Sequence, residues 1–207
     1  GVRLQDEVDR GRAELRGSID LPLATSPRMG RLAANLNLEL ADLSDFGTLT
    51  SLGAGLTWRP TNAVRLILSW AEEETAPSIT QLGDPLVATP NQRIFDFARG
   101  ESVTITRLDG GNPALTAAER RVWRTGLRFE PFDEHDLVLN ADYSDSRVDS
   151  PIIGFPTPSE EIEAAFGERF ERDANGELVR LDARPLNVAE AHERRIDWGL
   201  RYTRRLG

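Results

Sequence analysis

The run "GTLTSLGAGLTWRPTNAVRLILSW", Gly47 to Trp70, separates by odd and even positions into two chemistries. Thr48, Thr50, Leu52, Ala54, Leu56 and Trp58 fall on one side of an extended chain, opposite Leu49, Ser51, Gly53, Gly55, Thr57 and Arg59. Past Pro60 and Asn62 the division resumes. Val64, Leu66, Leu68 and Trp70 oppose Arg65, Ile67, Ser69 and Ala71, and only Ile67 is out of place. A side-chain period of two on both sides of "RPTN" predicts two antiparallel strands joined by a tight turn.

The same pattern extends in both directions. In "RLAANLNLEL", Leu32, Ala34, Leu36, Leu38 and Leu40 oppose Arg31, Ala33, Asn35, Asn37 and Glu39; a helix would scatter these leucines around its circumference. Ala13, Leu15, Gly17, Ile19 and Leu21 oppose Arg12, Glu14, Arg16, Ser18 and Asp20. Farther on, Trp123, Thr125, Leu127 and Phe129 oppose Val122, Arg124, Gly126, Arg128 and Glu130. "DLVLNADYS" sets Leu137, Leu139, Ala141 and Tyr143 against Val138, Asn140 and Asp142. "RIDWGLRYT" sets Ile196, Trp198, Leu200 and Tyr202 against Asp197, Gly199, Arg201 and Thr203. About seven strands result, each with one apolar and one polar face.

Composition narrows the setting. The 207 residues carry 25 basic and 34 acidic groups, a net charge of -9, and the arginines are spread along the chain, which argues against a nucleic-acid partner. With no cysteine, disulfides, thiolate metal sites and a cysteine nucleophile are excluded. No apolar run approaches the 18 to 20 residues of a membrane helix, and "GVRLQDEVDR" has no signal-peptide core, so any membrane role falls to strands. Alternation alone fits a soluble sandwich as well as a membrane barrel. Runs of about ten residues, however, match the 9 to 11 that a tilted strand needs to cross a bilayer.

The links alternate as well. "PLATSPRMG", "RPTN" and "PFDEH" are short and fall on one side. "DLSDF", the segment 72–118 and the segment 149–187 fall on the other, as with periplasmic turns and extracellular loops. Trp58, Phe129 and Tyr202 then lie toward the short-turn end, and Trp70, Trp123 and Tyr143 toward the opposite end, as two aromatic bands. The bands are loose. Six residues from Trp123 to Phe129 span about 14 Å along the membrane normal, less than the apolar band of about 25 Å.

"SLGAGLTWRPTNAVRLILSWAEEETAPSITQL", "FDFARGE", "GGNPALTAAERRVWRTGLRFEPF" and "AAFGERFERDANGELVRLDARPLN" resemble the barrel of TonB-dependent outer-membrane receptors. In that family a strand ending in Trp-x-Pro, an "APS" segment and a "GNPxLxPE" loop recur in this order. They correspond to Trp58 and Pro60, to Ala76–Ser78, and to Gly111–Leu115. Ala117 and Ala118 replace the family's Pro-Glu. The resemblance implies an all-β fold: a partial antiparallel transmembrane β-barrel with long extracellular loops at 72–118 and 149–187. It further implies that residues 1–207 are a fragment of a closed barrel of about 22 strands. The expected partners are outer-membrane lipid, the parent protein's plug domain and remaining strands, the TonB complex through that plug, and a small-molecule nutrient such as a siderophore, vitamin or glycan. The expected location is the outer membrane of a Gram-negative bacterium. No plug or TonB box is recognisable before the first strand, and "YTRRLG" is not the aromatic terminal strand of the family.

Two other classes stay open, a soluble carbohydrate-binding-like sandwich and a non-transporting outer-membrane barrel. Neither a cofactor nor an enzymatic activity is expected. Carboxylates abound without an identifiable acid–base pair or nucleophile, and "DGGNP" lacks the Lys-Ser/Thr of a phosphate loop. His135 and His192 have no i,i+4 partner, so no metal site is expected from them. Glu171, Asp173, Asn175, Gly176 and Asp182 imitate calcium-loop spacing. Their first ligand is not Asp and their last is not Glu, and an Asn-Gly hairpin turn explains them as well.

In "TPSEEIEAAFGERF", Thr157 as N-cap, Pro158 and Glu160 predict a capped helix with Ile162, Ala165, Phe166 and Phe170 on one face. The candidate ligand contacts are four charges expected to be exposed in the first long loop: Asp96, Arg99, Arg107 and Asp109. Asn35, Arg65, Arg124, Arg128, Asn140 and Asp142 are expected to line the lumen, while Leu36, Leu56, Leu66, Leu127, Leu139 and Leu200 meet lipid.

Overall fold

A computed structural model describes residues 10–132 and 136–203; the readings of His135 and of the ends of the chain lie outside the described residues. β1 (Arg12–Ser26), β2 (Gly30–Leu43), β3 (Gly47–Thr61) and β4 (Val64–Thr75) follow one another through short turns. Next come α1 (Ile79–Gly83), β5 (Val87–Asp96) and β6 (Glu101–Asp109), then the long strands β7 (Ala118–Phe129) and β8 (Asp136–Asp149). β9 (Ile152–Ile153), α2 (Glu160–Ala165), a 3-10 turn (Gly167–Arg169), β10 (Phe170–Arg172), β11 (Leu178–Asp182) and β12 (Leu186–Asn187) precede the last strand, β13 (Glu190–Thr203). Among the described residues, no helix is long and apolar enough to cross a membrane, which leaves crossing by strands open.

These elements form two compact units. The first holds Arg10–Ala76, Ala118–Asp149 and the chain from Ala189 onward; the second holds Pro77–Ala117 and Ser150–Val188.

The first unit is a seven-stranded antiparallel sheet in the order β1-β2-β3-β4-β7-β8-β13. Its strands are 12 to 15 residues long, and their register keeps like faces together across every ladder. Ile19 pairs with Leu36, Leu36 with Ala54, Ala54 with Trp70 and Trp70 with Trp123. Leu127 pairs with Ala141, which pairs with Trp198. One slip by a single residue would mix the faces, so the alternating pattern itself specifies the pairing. The six leucines expected to meet lipid all lie on this apolar face, and Leu36, Leu127 and Leu200 are exposed. A β-sandwich would instead cover this face with a second sheet.

The strands outlast the expected loop boundaries. β4 runs on to Thr75 because Glu72 and Glu73 pair with Arg121 and Arg120 of β7, extending the ladder with opposite charges where apolar pairs end. On the apolar side beyond Trp70 and Trp123, Arg121 bonds Glu72 at 3.1 Å and Asp149 at 3.3 Å, and Arg147 bonds Glu190 at 2.7 Å. The Trp70 and Trp123 rings, 6.3 Å apart, mark the change from apolar to charged surface. At the opposite end the Trp58 indole donates to the Met29 carbonyl at 2.8 Å, fastening the β1–β2 turn. Gly30, at φ +71°, is required there, because a Cβ would collide with the Arg59 carbonyl.

The second unit joins the two long segments that the sequence presents as separate loops. β5 and β6 form a hairpin, β10 and β11 form another, and β11 runs parallel to β6 with Arg180 opposite Thr106. Val103, Ile105, Phe170, Leu178, Leu181 and Ala183 make its core, with Ile94, Phe155 and Ile162 packed against them. Either segment alone supplies only part of that core. Burial is therefore achieved by pairing the two insertions.

Local details differ from expectation in instructive ways. α2 begins two residues late, with Ser159 as N-cap accepting from the Ile162 amide at 3.3 Å. Thr157 and Pro158 precede it. Ala165 is exposed, and Phe170 lies in β10 rather than on the helix, although Phe155 stacks 6.2 Å from Phe166 and 6.0 Å from Phe170. α1 has no counterpart in the sequence reading. Its signal was present as Ser78-x-x-Gln81, a capping box in which the Ser78 hydroxyl accepts from Gln81 N and the Gln81 side chain accepts from Ser78 N.

Candidate functional site

Two surfaces carry polar chemistry, one in each unit. On the sheet, Asn35 pairs through Gly55 and Ser69 with Arg124, Arg65 pairs with Arg128 and Arg128 with Asn140, and Asp142 pairs with Gly126. All six residues expected to line a lumen therefore share the face opposite the apolar one. The glycines in this row make room for them. A Cβ on Gly55 would collide with the Asn35 amide, and one on Gly126 would come within 2.9 Å of the Asp142 carboxylate. Between these side chains lie polar pockets, one of about 420 Å³ bordered by Arg124, Asp142, Arg195 and Asp197.

In the inserted unit the four candidate ligand contacts separate. Asp96 is not the exposed charge that its loop context suggests: it is fully buried at the end of β5. Both of its carboxylate oxygens accept from Arg172 at 2.8 Å, and one also accepts from the amides of Ala98 at 3.1 Å and Arg99 at 3.2 Å. The Arg172 hydrogen bonds hold the Asp96 carboxyl below the usual carboxylate range against the opposing effect of burial. Asp96 in turn raises the Arg172 guanidinium above its ordinary value. Arg172 also pairs with Glu163 and donates to the Gly176 carbonyl at 2.9 Å, so one guanidinium ties β5, α2 and the β10–β11 turn together. Position in sequence gave no sign of this, since Asp96 and Arg172 are 76 residues apart.

The other three candidates remain accessible. Arg99 pairs with Glu101 at 2.9 Å and reaches the Asn175 carbonyl at 3.3 Å, bringing the β5–β6 and β10–β11 turns side by side. Arg107 and Asp109 pair with each other at 3.0 Å. Asp173, Asn175 and Gly176 form the hairpin turn: the Asp173 carboxylate accepts from the Asn175 amide at 2.9 Å and the Glu177 amide at 2.8 Å. Gly176 has φ +78°, while Asn175 needs no positive φ. These amide bonds, Glu177 first, hold the Asp173 carboxyl below its usual range. Among the described residues no group of three or more His, Asp or Glu side chains is placed to hold a metal.

The motif-bearing segments converge. The Gly111 amide donates to Asp84 O and the Asn112 amide to Gln81 O, at 2.9 and 2.7 Å, and a Cβ on Gly111 would strike the backbone of Leu82. The Asn112 side chain donates to Pro185 O at 2.9 Å and accepts from the Ala114 amide at 3.0 Å. Asn187 accepts from the Thr116 amide and donates to the carbonyls of Thr116 and Ser150. The segment Gln81–Asp84, "GGNPALT" and "RPLN" are thus one hydrogen-bonded node that fastens the first insertion to the second. The glycine-rich loop is structural, and β7 follows it from Ala118.

No family model and no curated protein matches the chain. Among solved structures it is similar to the siderophore receptor PirA from Pseudomonas aeruginosa, at 18% identity and a TM-score of 0.62, over 92% of this chain and 31% of that one. PirA from Acinetobacter baumannii aligns at 16% identity and 0.61, over 91% of this chain and 25% of that one. A mutant of the ferric enterobactin receptor PfeA from Pseudomonas aeruginosa aligns at 16% and 0.63, over 91% and 24%. The proteins it resembles are receptors rather than enzymes. The chain spans less than a third of their length, and at these identities the likeness establishes its fold alone, a partial, antiparallel β-barrel.

Proposed function

We propose that this chain is part of an outer-membrane receptor that takes up a scarce nutrient, with a siderophore as the leading substrate class and energy supplied through TonB. The observation that carries this reading is the register-matched apolar face, continuous over seven strands and left open to its surroundings. A lipid bilayer satisfies such a face without a second sheet. The change to ion-paired surface beyond Trp70 and Trp123 supports the same placement, because charges there would meet headgroups and water rather than acyl chains. The polar face then lines a lumen, where Asn35, Arg65, Arg124, Arg128, Asn140 and Asp142 contact a plug and solute. Both insertions leave from the same end of the sheet, since Thr75 pairs with Ala118, and Asp149 with both Glu119 and Glu190. That end is extracellular in this reading. Arg99, Arg107 and Asp109 are its candidate ligand contacts, and Asp96 supports them from within.

Because the chain has no cysteine, single substitutions test sidedness cleanly. Ser102→Cys, Ala174→Cys and Thr61→Cys replace exposed residues, the first two in the inserted unit and the third at the short-turn end. In intact cells producing the whole protein, a membrane-impermeant thiol reagent should label the first two and spare the third. Labelling of Thr61→Cys alone would put the insertions in the periplasm and remove the uptake reading.

A further inference from the structure

At the short-turn end of the sheet's polar face, four arginines occupy one register row. Arg31 is the direct partner of Arg59 and Arg65 the direct partner of Arg128, with a bulge after Trp58 between the two pairs. Like charges placed directly opposite destabilise a ladder, and here two such pairs adjoin. All 25 basic residues of this chain are arginine. Crowding can neutralise a lysine, but a guanidinium keeps its charge. The four side chains border a pocket of about 330 Å³ in which Glu130 is the one carboxylate, and Glu130 already accepts from Arg128 at 2.7 Å. Among the described residues, Arg31, Arg59 and Arg65 have no ion pair or hydrogen bond from their guanidinium groups. The opposite end of the same face is different: Arg12 and Arg16 share the carboxylates of Glu14 and Glu39. Backbone geometry also builds the pocket. Gly30 admits the close approach of the Arg59–Pro60 backbone, and the bulge redirects the strand at Arg59.

We propose that this row binds an acidic polypeptide segment, whose carboxylates lie across Arg31, Arg59, Arg65 and Arg128. Four adjacent strands at about 4.8 Å spacing spread the guanidinium groups over about 14 Å. That width exceeds the reach of one small oxyanion and suits four or five extended residues at about 3.3 Å each. Guanidinium forks bind carboxylates in bidentate fashion and stabilise them more than neutral donors do. Lipid phosphates at the apolar side would have the sheet between themselves and this row.

The test is fluorescence anisotropy of labelled hexa-aspartate with the 207-residue chain in a neutral detergent at low ionic strength. Saturable binding is expected, weakened about tenfold by combined Arg59→Gln and Arg65→Gln. The charge-matched pair Arg12→Gln and Arg16→Gln should change it by less than about twofold. Without peptide, the pocket variant should melt no lower than the native chain, because it relieves repulsion. Absence of saturable binding, equal loss in both variants, or a lower melting temperature of the pocket variant would overturn the proposal. So would inorganic phosphate binding as tightly as the peptide, which would mark a small-oxyanion site. None of these readings depends on membrane sidedness or transport, so the uptake reading is tested separately.

Discussion

In the seven-stranded sheet Trp198 and Ile196 leave 80% and 73% of their surface uncovered, whereas Leu181 in the inserted unit leaves 0%. The sheet leaves its large apolar side chains uncovered on one face and, short of the charged rows beyond Trp70 and Trp123, sets its arginines, asparagines and carboxylates on the opposite face. The inserted unit does the reverse, enclosing Ile105, Leu178 and Leu181 and placing charges outside. With the sheet in a bilayer, as proposed, both arrangements follow from the same hydrophobic effect acting in different surroundings. Where water surrounds the chain, apolar groups must find each other; where hydrocarbon surrounds it, they have no need to. The ion pair of the fully buried Asp96 also belongs to this comparison. Asp96–Arg172 lies in the unit that has an interior, and there an unpartnered charge is costly.

That contrast is most exposed to failure at Asp96. Asp96→Ala should destabilise the inserted unit by about 1 to 3 kcal/mol, because it removes the bidentate partner of Arg172, which keeps Glu163 and the Gly176 carbonyl, and the acceptor of two turn amides. Limited proteolysis and hydrogen exchange should localise the loss to 77–117 and 150–188. The folded carboxyl titrates below its unfolded value of 3.8, so its contribution is complete above that pH and fades as pH falls through the lower folded value. Acid should therefore loosen the inserted unit of the native chain more steeply, below about pH 4, than that of Asp96→Ala. Identical acid profiles would mean that the pair does not hold the unit together.

Leucines in the two units should respond differently to substitution. Leu181→Ala should cost about 2 to 5 kcal/mol, as for a fully enclosed leucine whose cavity cannot close, measured by urea unfolding of the inserted unit. Leu127→Arg should cost about 2 to 4 kcal/mol in a bilayer if the residue sits near the midplane, and far less near an interface. If Leu127→Arg and Leu56→Arg were both harmless in lipid vesicles, the apolar face would not be a lipid-facing surface. A smaller effect is expected at the node joining the insertions. Asn112→Ala should cost about 1 to 3 kcal/mol by leaving the Pro185 carbonyl and the Ala114 amide without their partner. Faster proteolysis at the β12 segment, with the sheet unaffected, would be its signature.

For the seven-stranded sheet, strand identity and the two faces were legible along the chain, because a period of two is a local property and a register slip exposes the wrong face; β5 and β6, inside an expected loop, were not. The assignment of Leu36, Leu127 and Leu200 to one face and of Arg65, Arg128 and Asn140 to the other needed nothing beyond counting. Turn chemistry was legible too, at Asn175–Gly176, and α1 would have been found had Ser78-x-x-Gln81 been read as a capping box. The union of the two insertions was not. The parallel pairing of β11 with β6 and the Asp96–Arg172 bridge join residues more than 70 positions apart. No spacing rule links such partners, so only the folded chain decides that a charge in an apparent loop is buried and that two loops share one core. The same holds for the four-arginine row, whose members are scattered in sequence and meet only because strand register sets Arg31 beside Arg59 and Arg65 beside Arg128.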